Sequence, residues 1–366
     1  AAGTFRPTDP ITRAELINIL SNMVDTLVKE TTTVTKDVSG SLLISAADGA
    51  TLKGIQIGGD LILAPGVTKD VTLVDCVIQG NIRNYGTGEV RFEAPQITPE
   101  STATKPSEVY KPGATLDRTL EYGGKTVPIY RDRPLNVFSD VDFIWTGEEN
   151  ENQRRLEYLG GEFRTRYGID VSSFQGEIDW DAVADDNIDF AMVRVGFRGT
   201  GTGSLNTDKY YEQNIRGAMR AGLETGVYFF AQAVTVEEAI EEADYVISLL
   251  DGLDINGPVA YDWEMHDSTY RVYGTSPEMA TACAVAFCQR IKDAGYTPMV
   301  YGGTYVTYMK YDQGALADYL SWYPEYKSEK SEKLCPTLVY HMDYWQFSSS
   351  RAVAGINGRV DMNIQF

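Results

Sequence analysis

From residue 167 to the C-terminus, short apolar runs alternate with stretches whose apolar residues recur every three or four positions. The runs read as strands near 168–172, 190–196, 226–231, 258–264, 298–302, 319–323, 344–347 and 359–361. Between them, 207–221 is amphipathic through Tyr211, Ile215 and Met219, and Gly222 supplies a stop. Residues 235–250 open on a Thr235/Glu238 capping pair. The next helix has Ser276 as cap, Pro277 at its first position and Gly295 at its end. Strand candidates separated by helices in about 200 residues predict an α/β fold, a compact β/α barrel of the TIM type. Its later helices look short or absent, so an irregular barrel is expected.

Upstream the period changes. Thr51-Leu-Lys-Gly-Ile-Gln-Ile-Gly-Gly-Asp-Leu-Ile-Leu63 aligns with Thr72-Leu-Val-Asp-Cys-Val-Ile-Gln-Gly-Asn-Ile-Arg-Asn84 at a 21-residue offset, with Gly59 and Gly80 as punctuation. Repeats near 20 residues mark stacked coils sharing one core, so 35–97 reads as a small β-solenoid or β-helix-like segment. In that register Cys76 takes the place of Ile55, the position of a buried structural thiol. Residues 98–165 carry Pro106, Pro112, Pro128 and Pro134 but also Tyr110, Tyr122, Tyr130, Phe138, Phe143 and Trp145. That is too aromatic for a disordered linker. A partly ordered connector packing on the C-terminal barrel is expected. At the start, Thr12 stands three before Glu15 and begins one amphipathic helix, too small to fold alone.

Composition narrows the function classes. A formal net charge of −20 opposes non-specific nucleic-acid binding. It would also repel an anionic cell wall, so a wall partner must be held by local chemistry. No stretch approaches the length of a membrane span. The 4 cysteines are too few and too irregular for a disulfide framework, and the 2 histidines give a zinc site little support. No cofactor or metal is expected. No signal peptide is visible, and the chain opens inside a motif, so an upstream portion is expected.

The chemistry gathers at Pro258-Val-Ala-Tyr-Asp-Trp-Glu264. On a strand, Asp262 and Glu264 point to one face, roughly 6–7 Å apart. Two carboxyls so placed resist joint ionisation, and one is driven toward its acid form. In a barrel, acids at strand C-termini converge on one mouth, and Asp170 and Asp361 meet the same condition on the first and last strands. Tyr228, Tyr301, Trp322 and Trp345 fall at or near strand ends, either as ring platforms for a sugar or as core. Arg194 could bind a carboxylate or pair with one of the four acids. Trp180 and Trp263 read as structural, and His266 as an exposed loop residue.

Two resemblances are carried by motif words of this kind. Phe5-Arg-Pro7 and Thr12-Arg-Ala-Glu15 resemble the closing half of an S-layer homology module, which implies that 1–30 could contact a secondary cell-wall polymer. Over 166–366 the chain resembles the family 25 glycoside hydrolases, lysozymes of the Chalaropsis type. The words are Gly168-Ile-Asp-Val-Ser-Ser-Phe-Gln-Gly176 with Ile178-Asp-Trp180, then Phe190-Ala-Met-Val-Arg-Val-Gly196, Ala221-Gly-Leu-Glu-Thr-Gly-Val-Tyr228, Ala260-Tyr-Asp-Trp-Glu264, and Trp345-Gln-Phe-Ser348 with Gly358-Arg-Val-Asp-Met-Asn363. Phe230 and Gly302-Gly303 depart from the family pattern. The resemblance implies an extracellular, wall-associated N-acetylmuramidase acting on peptidoglycan glycan strands. Glu264 would be the general acid, Asp262 would orient the 2-acetamido group or stabilise charge, and Asp170 and Asp361 would tune the pair. A carboxylate two before the acid favours substrate-assisted retention over inversion. The rivals are a non-catalytic wall-binding or surface-layer protein that keeps the barrel as a binding module, and a chitin hydrolase.

Overall fold

The computed structural model describes residues 24–74, 76–78, 82–93, 104–113, 115–147 and 154–366. The S-layer-like words at Phe5–Pro7 and Thr12–Glu15 lie outside these residues, as does Gly80. The chain divides into two units, Ala1–Ser101 and Thr102–Phe366.

In the first unit every described strand pairs in parallel. Thr26–Val28, Leu42–Ile44, Leu61–Leu63 and Ile82–Asn84 form one sheet in that order; Thr33–Val34, Ala50–Lys53, Val71–Val74 and Val90–Glu93 form a second. Gln56–Ile57 pairs with Val77–Ile78. Thr51 pairs with Thr72 and Ile57 with Ile78, which is the 21-residue alignment read from the sequence. The repeat arises because Leu42, Ile44, Leu52, Ile57, Leu61, Leu63 and Leu73 recur at the positions that fill one shared core. Thr26–Val28 joins this stack, so the coils begin before residue 35 and take in part of the stretch 1–30. Cys76 is buried in the same core as Ile55, its Sγ donating to the Val74 carbonyl.

The second unit contains a closed eight-stranded barrel. We label its strands β1 (Arg166–Val171), β2 (Phe190–Arg198), β3 (Glu224–Ala231), β4 (Val259–Trp263), β5 (Pro298–Tyr301), β6 (Leu320–Pro324), β7 (Tyr344–Arg351) and β8 (Val360–Gln365). Strands β1 to β7 run parallel in sequence order. Strand β8 closes the ring between β7 and β1 and is antiparallel to both. The helices that follow β1 in the chain are α1 (Trp180–Asp185), α2 (Tyr211–Arg220), α3 (Val236–Leu249), α4 (Pro277–Asp293) and α5 (Thr304–Met309). The expected caps hold α3 and α4: Thr235 accepts from the Glu238 amide and Ser276 from the Met279 amide. No helix among the described residues lies between β6 and β7, or is long and apolar enough to cross a membrane.

Alternation along each strand sorts the side chains. Phe190, Met192, Ala260, Met299, Tyr301, Trp322 and Tyr344 pack on one another inside the ring. Gly168 is required there, because a Cβ would sit 2.3 Å from the Phe190 ring. Below this layer Arg166 pairs with Glu224 and donates to Gln365, which donates to the Tyr344 hydroxyl, so the lower end is plugged. The opposite faces of the strands carry the larger apolar layer shared with the helices.

Residues 104–165 belong to this unit and not to a separate spacer. They supply two hairpins, Leu116–Tyr122 with Lys125–Tyr130 and Phe143–Thr146 with Arg155–Tyr158. Phe143, 4% exposed, meets Trp345 edge-on at 5.3 Å, and Phe138 packs on Phe366 at 4.3 Å. Burying a phenylalanine contributes about 2–3 kcal/mol, so these aromatics explain why the stretch is ordered.

Candidate active site

The C-terminal ends of β1 to β7 open on one mouth. Asp170 stands near the end of β1 and Asp262 near the end of β4; Glu264 is the first residue beyond β4. Asp361 faces the same mouth, but its expected placement at a strand C-terminus is corrected. It lies at the N-terminal end of an antiparallel strand, in register with Asp170.

The four carboxyls sit in different surroundings. Asp170 is buried; one of its oxygens accepts from Gln346 Nε2 and Asn363 Nδ2, each at 2.8 Å. Burial pushes its carboxyl up to about 6, against the pull of those two amides, and the Glu264 charge adds to the rise. Asp262 is 5% exposed, and its Oδ1 has no hydrogen-bond partner. Burial first, then the charge and hydrogen bond of Glu264, drive the Asp262 carboxyl well above its ordinary value. Glu264 is more open, with His266 Nε2 2.7 Å from its Oε2. Asp361 is raised to about 8, chiefly by burial and then by Asp170.

The raised acids carry a stability consequence. A carboxyl whose folded value exceeds its unfolded one favours the fold at low pH, and that contribution is lost as pH rises through the folded value. For Asp170 and Asp361 the window runs from about 4 to about 8. Thermal unfolding at pH 5 and pH 8 should therefore show the unaltered protein losing stability with rising pH. Asp361→Asn should flatten that slope and be the more stable protein at pH 8, by roughly 2–4 °C for each kcal/mol recovered. Parallel pH curves for the two proteins would contradict this assignment.

The aromatic candidates divide. Tyr301 lines a cleft beside Glu264, with its hydroxyl donating to Gln346 Oε1 at 3.1 Å. Tyr228 is half-buried inside the barrel, its ring edge-on to Trp322 at 5.8 Å. Trp322 is 2% exposed; its Nε1 donates to Asn363 Oδ1, so it anchors the amide that holds Asp170 and offers no face to a ligand. Trp345 points to the opposite side of β7, fully buried against Phe143 and Phe347. Both tryptophans are corrected from ring platforms to packing residues. Trp180 and Trp263 are buried, as expected. Arg194 pairs at 2.9 Å with buried Asp208, not with any of the four acids, and lies against the rings of Phe174 and Phe197.

Several contributors leave little trace in the sequence. Gln346 and Asn363 are buried amides with no chemistry of their own to mark them. Tyr273 and Tyr326, in loops, and Tyr305, in α5, are exposed aromatics around the cleft of about 680 Å³ that Glu264 and His266 also line. A tyrosine just past the sixth strand is a usable signal for Tyr326, which donates to Gln346.

Residues 169–356 match the model of the glycosyl hydrolases family 25. The chain belongs to that family. Its family 25 match runs from within β1 through β7, including Asp170, Asp262 and Glu264, while Asp361 and Asn363 come after the matched span. An autolytic lysozyme of Clostridium acetobutylicum is 26% identical over 197 residues, covering 54% of this chain and 54% of that relative. The chain therefore spans about half the length of that curated relative. Lysozyme M1 of Streptomyces globisporus is 27% identical over 201 residues, covering 54% of this chain and 66% of the relative. Among solved structures, the spore cortex lytic enzyme SleM of Clostridium perfringens is 22% identical with a TM-score of 0.48, over 55% of this chain and 67% of that one.

Proposed function

We propose that this chain is an N-acetylmuramidase that hydrolyses the β-1,4 bond between N-acetylmuramic acid and N-acetylglucosamine in peptidoglycan. The observation that carries the reading is the Asp262/Glu264 pair. One carboxyl is buried with an unpartnered oxygen, and the other is more open at the edge of a tyrosine-lined cleft. Family membership and the relatives named as lysozymes support it.

In this mechanism the glycan lies in the cleft with pyranose faces on exposed tyrosine rings. Asp262 Oδ1 accepts the 2-acetamido N–H. That bond favours the charged form of Asp262, which gives up its proton to Glu264. Glu264 gives this proton to the leaving oxygen as the C1–O bond breaks and the acetamido oxygen bonds to C1. Asp262 then faces the positive charge developing on the acetamido nitrogen. Water, losing a proton to Glu264, opens the ring intermediate with net retention. The Asp170 charge helps hold Asp262 in its acid form until the substrate binds. His266 must release Glu264 for the acid to reach the substrate.

The second unit is read as a β/α barrel of the TIM type with its last strand reversed. The first unit is read as a β-helix-like spacer or binding platform. The stretch that carries Phe5–Pro7 and Thr12–Glu15, upstream of the coils, is read as an S-layer homology remnant that could contact a secondary wall polymer, and the working place as the extracellular wall. Digestion of purified peptidoglycan tests the activity. New reducing ends on muramic acid are expected; reducing ends on glucosamine, or wall binding without release, would reject the muramidase reading.

A further inference from the structure

Glu264 lies one residue past the last ladder pair of its strand: Trp263 pairs with Ala231 on one side, and Asp262 with Tyr301 on the other. Gln232, the first residue beyond β3, reaches the Glu264 peptide from outside that ladder. Its Nε2 donates to the Glu264 carbonyl at 2.8 Å, and the residue is fully buried.

Gln232 is itself fixed at both backbone groups. Its amide donates to Glu242 Oε1 at 3.0 Å, and its carbonyl accepts from Arg271 Nη1 at 3.0 Å. Glu242 is wholly buried and paired with Arg198 Nε at 2.8 Å. Arg271 is bound in fork fashion by Glu238, at 2.7 and 3.0 Å, and its amide donates to the Thr200 carbonyl. Alongside, Trp263 Nε1 donates to the Ala233 carbonyl at 3.1 Å. Charge-assisted bonds of this kind are the short, directional ones; Gln232 Oε1 and Glu242 Oε2 take no partner among the described residues, so Gln232 is held through its two backbone groups and its Nε2. Burying Arg198 and Glu242 behind a strand end is costly unless they are paired, and Arg271 and Glu238 lie partly buried beside them. The network instead reaches from α3 across the end of β3 to the loop after β4, and its contact with the candidate chemistry is the Glu264 main chain.

We propose that Gln232 is a positioning residue, which sets the place of Glu264 through its carbonyl and is held by the Arg198–Glu242 and Arg271–Glu238 pairs. This rests on the assignment of Glu264 as the general acid. A displacement of about 1 Å at a reacting group can cost on the order of 100-fold in rate, so the contact acts on turnover and not on substrate binding.

The test is steady-state hydrolysis of soluble glycan fragments of peptidoglycan by the full chain, with folding followed by near-UV circular dichroism. Gln232→Met keeps the size of the side chain and removes the donor; kcat should fall about 10- to 100-fold, with KM changed less than about 3-fold. Gln232→Glu adds a readout that a merely structural role would not move. A protonated carboxyl donates to the Glu264 carbonyl as the amide does, while an ionised one cannot. The kcat of Gln232→Glu relative to the unaltered protein should therefore fall between pH 5 and pH 8, whereas the same ratio for Gln232→Met stays flat. It also serves if Gln232→Met does not fold. A folded Gln232→Met protein with unaltered kcat, or identical pH profiles for the two variants, overturns the proposal while the muramidase reading stands if Glu264→Gln is inactive. Absence of cleavage by the unaltered protein overturns both.

Discussion

Glu264→Gln is expected to lower peptidoglycan turnover by roughly 10²–10⁴-fold, the range for loss of a general acid, and to leave the protein at least as stable. The change keeps the size of the side chain and its carbonyl, so the bond from Gln232 survives. It removes the charge that ranks directly after burial among the causes holding Asp262 in its acid form. Relieving that repulsion favours the fold, so the unfolding temperature should hold or rise while activity disappears. The measurement is muropeptide release by mass spectrometry beside a thermal melt. A stable variant that still releases reducing muramic acid ends at near-normal rate would remove Glu264 from the chemistry. An unfolded variant would mean that the side chain supports the structure.

Asp262→Asn is expected to cost about 10²-fold in kcat, the scale for losing one charge-stabilising group, with KM little changed. The amide has nearly the shape of the protonated acid that burial favours in the free protein, so the resting site is preserved. It cannot become negative when the acetamido nitrogen turns positive. It also cannot pass a proton to its neighbour. The loss should remain smaller than for Glu264→Gln, because an amide oxygen still accepts the acetamido N–H. Equal losses for the two variants would argue that the pair acts as one indivisible unit. A wild-type rate for Asp262→Asn would rule out substrate assistance through this residue.

Period and sign are the features of this fold that are legible in the sequence. Alternating apolar runs ending in Asp170, Asp262 and Glu264 locate the barrel and its mouth, since a carboxylate at the end of a hydrophobic strand has few other reasons to be there. The repeat at Thr51 and Thr72 locates the coils because identical positions stack. Strand direction is not legible: Asp361 belongs to the expected mouth but enters it with the opposite polarity, because a short apolar run looks the same in either direction. Nor is facing. Trp322 and Trp345 sit on adjacent strands near the same height, yet opposite parity sends one into the barrel and the other onto Phe143. The partner of Arg194 is hidden because Asp208 comes from the turn after a hairpin strand that no pattern announces. The roles of Gln346, Asn363 and Gln232 are hidden for a simpler reason. An amide carries no charge to betray it, and its value lies entirely in which atoms it meets.

The reversed closing strand limits how this chain can change over generations. Along β8 the mouth and interior receive Asp361, Asn363 and Gln365, while Val360, Met362 and Ile364 fill the apolar layer outside. Because strand parity is two, inserting or deleting a single residue within β8 would exchange those sets, pointing a valine or methionine where a carboxyl now faces Asp170. The six residues of the strand can change only in place, one side chain at a time.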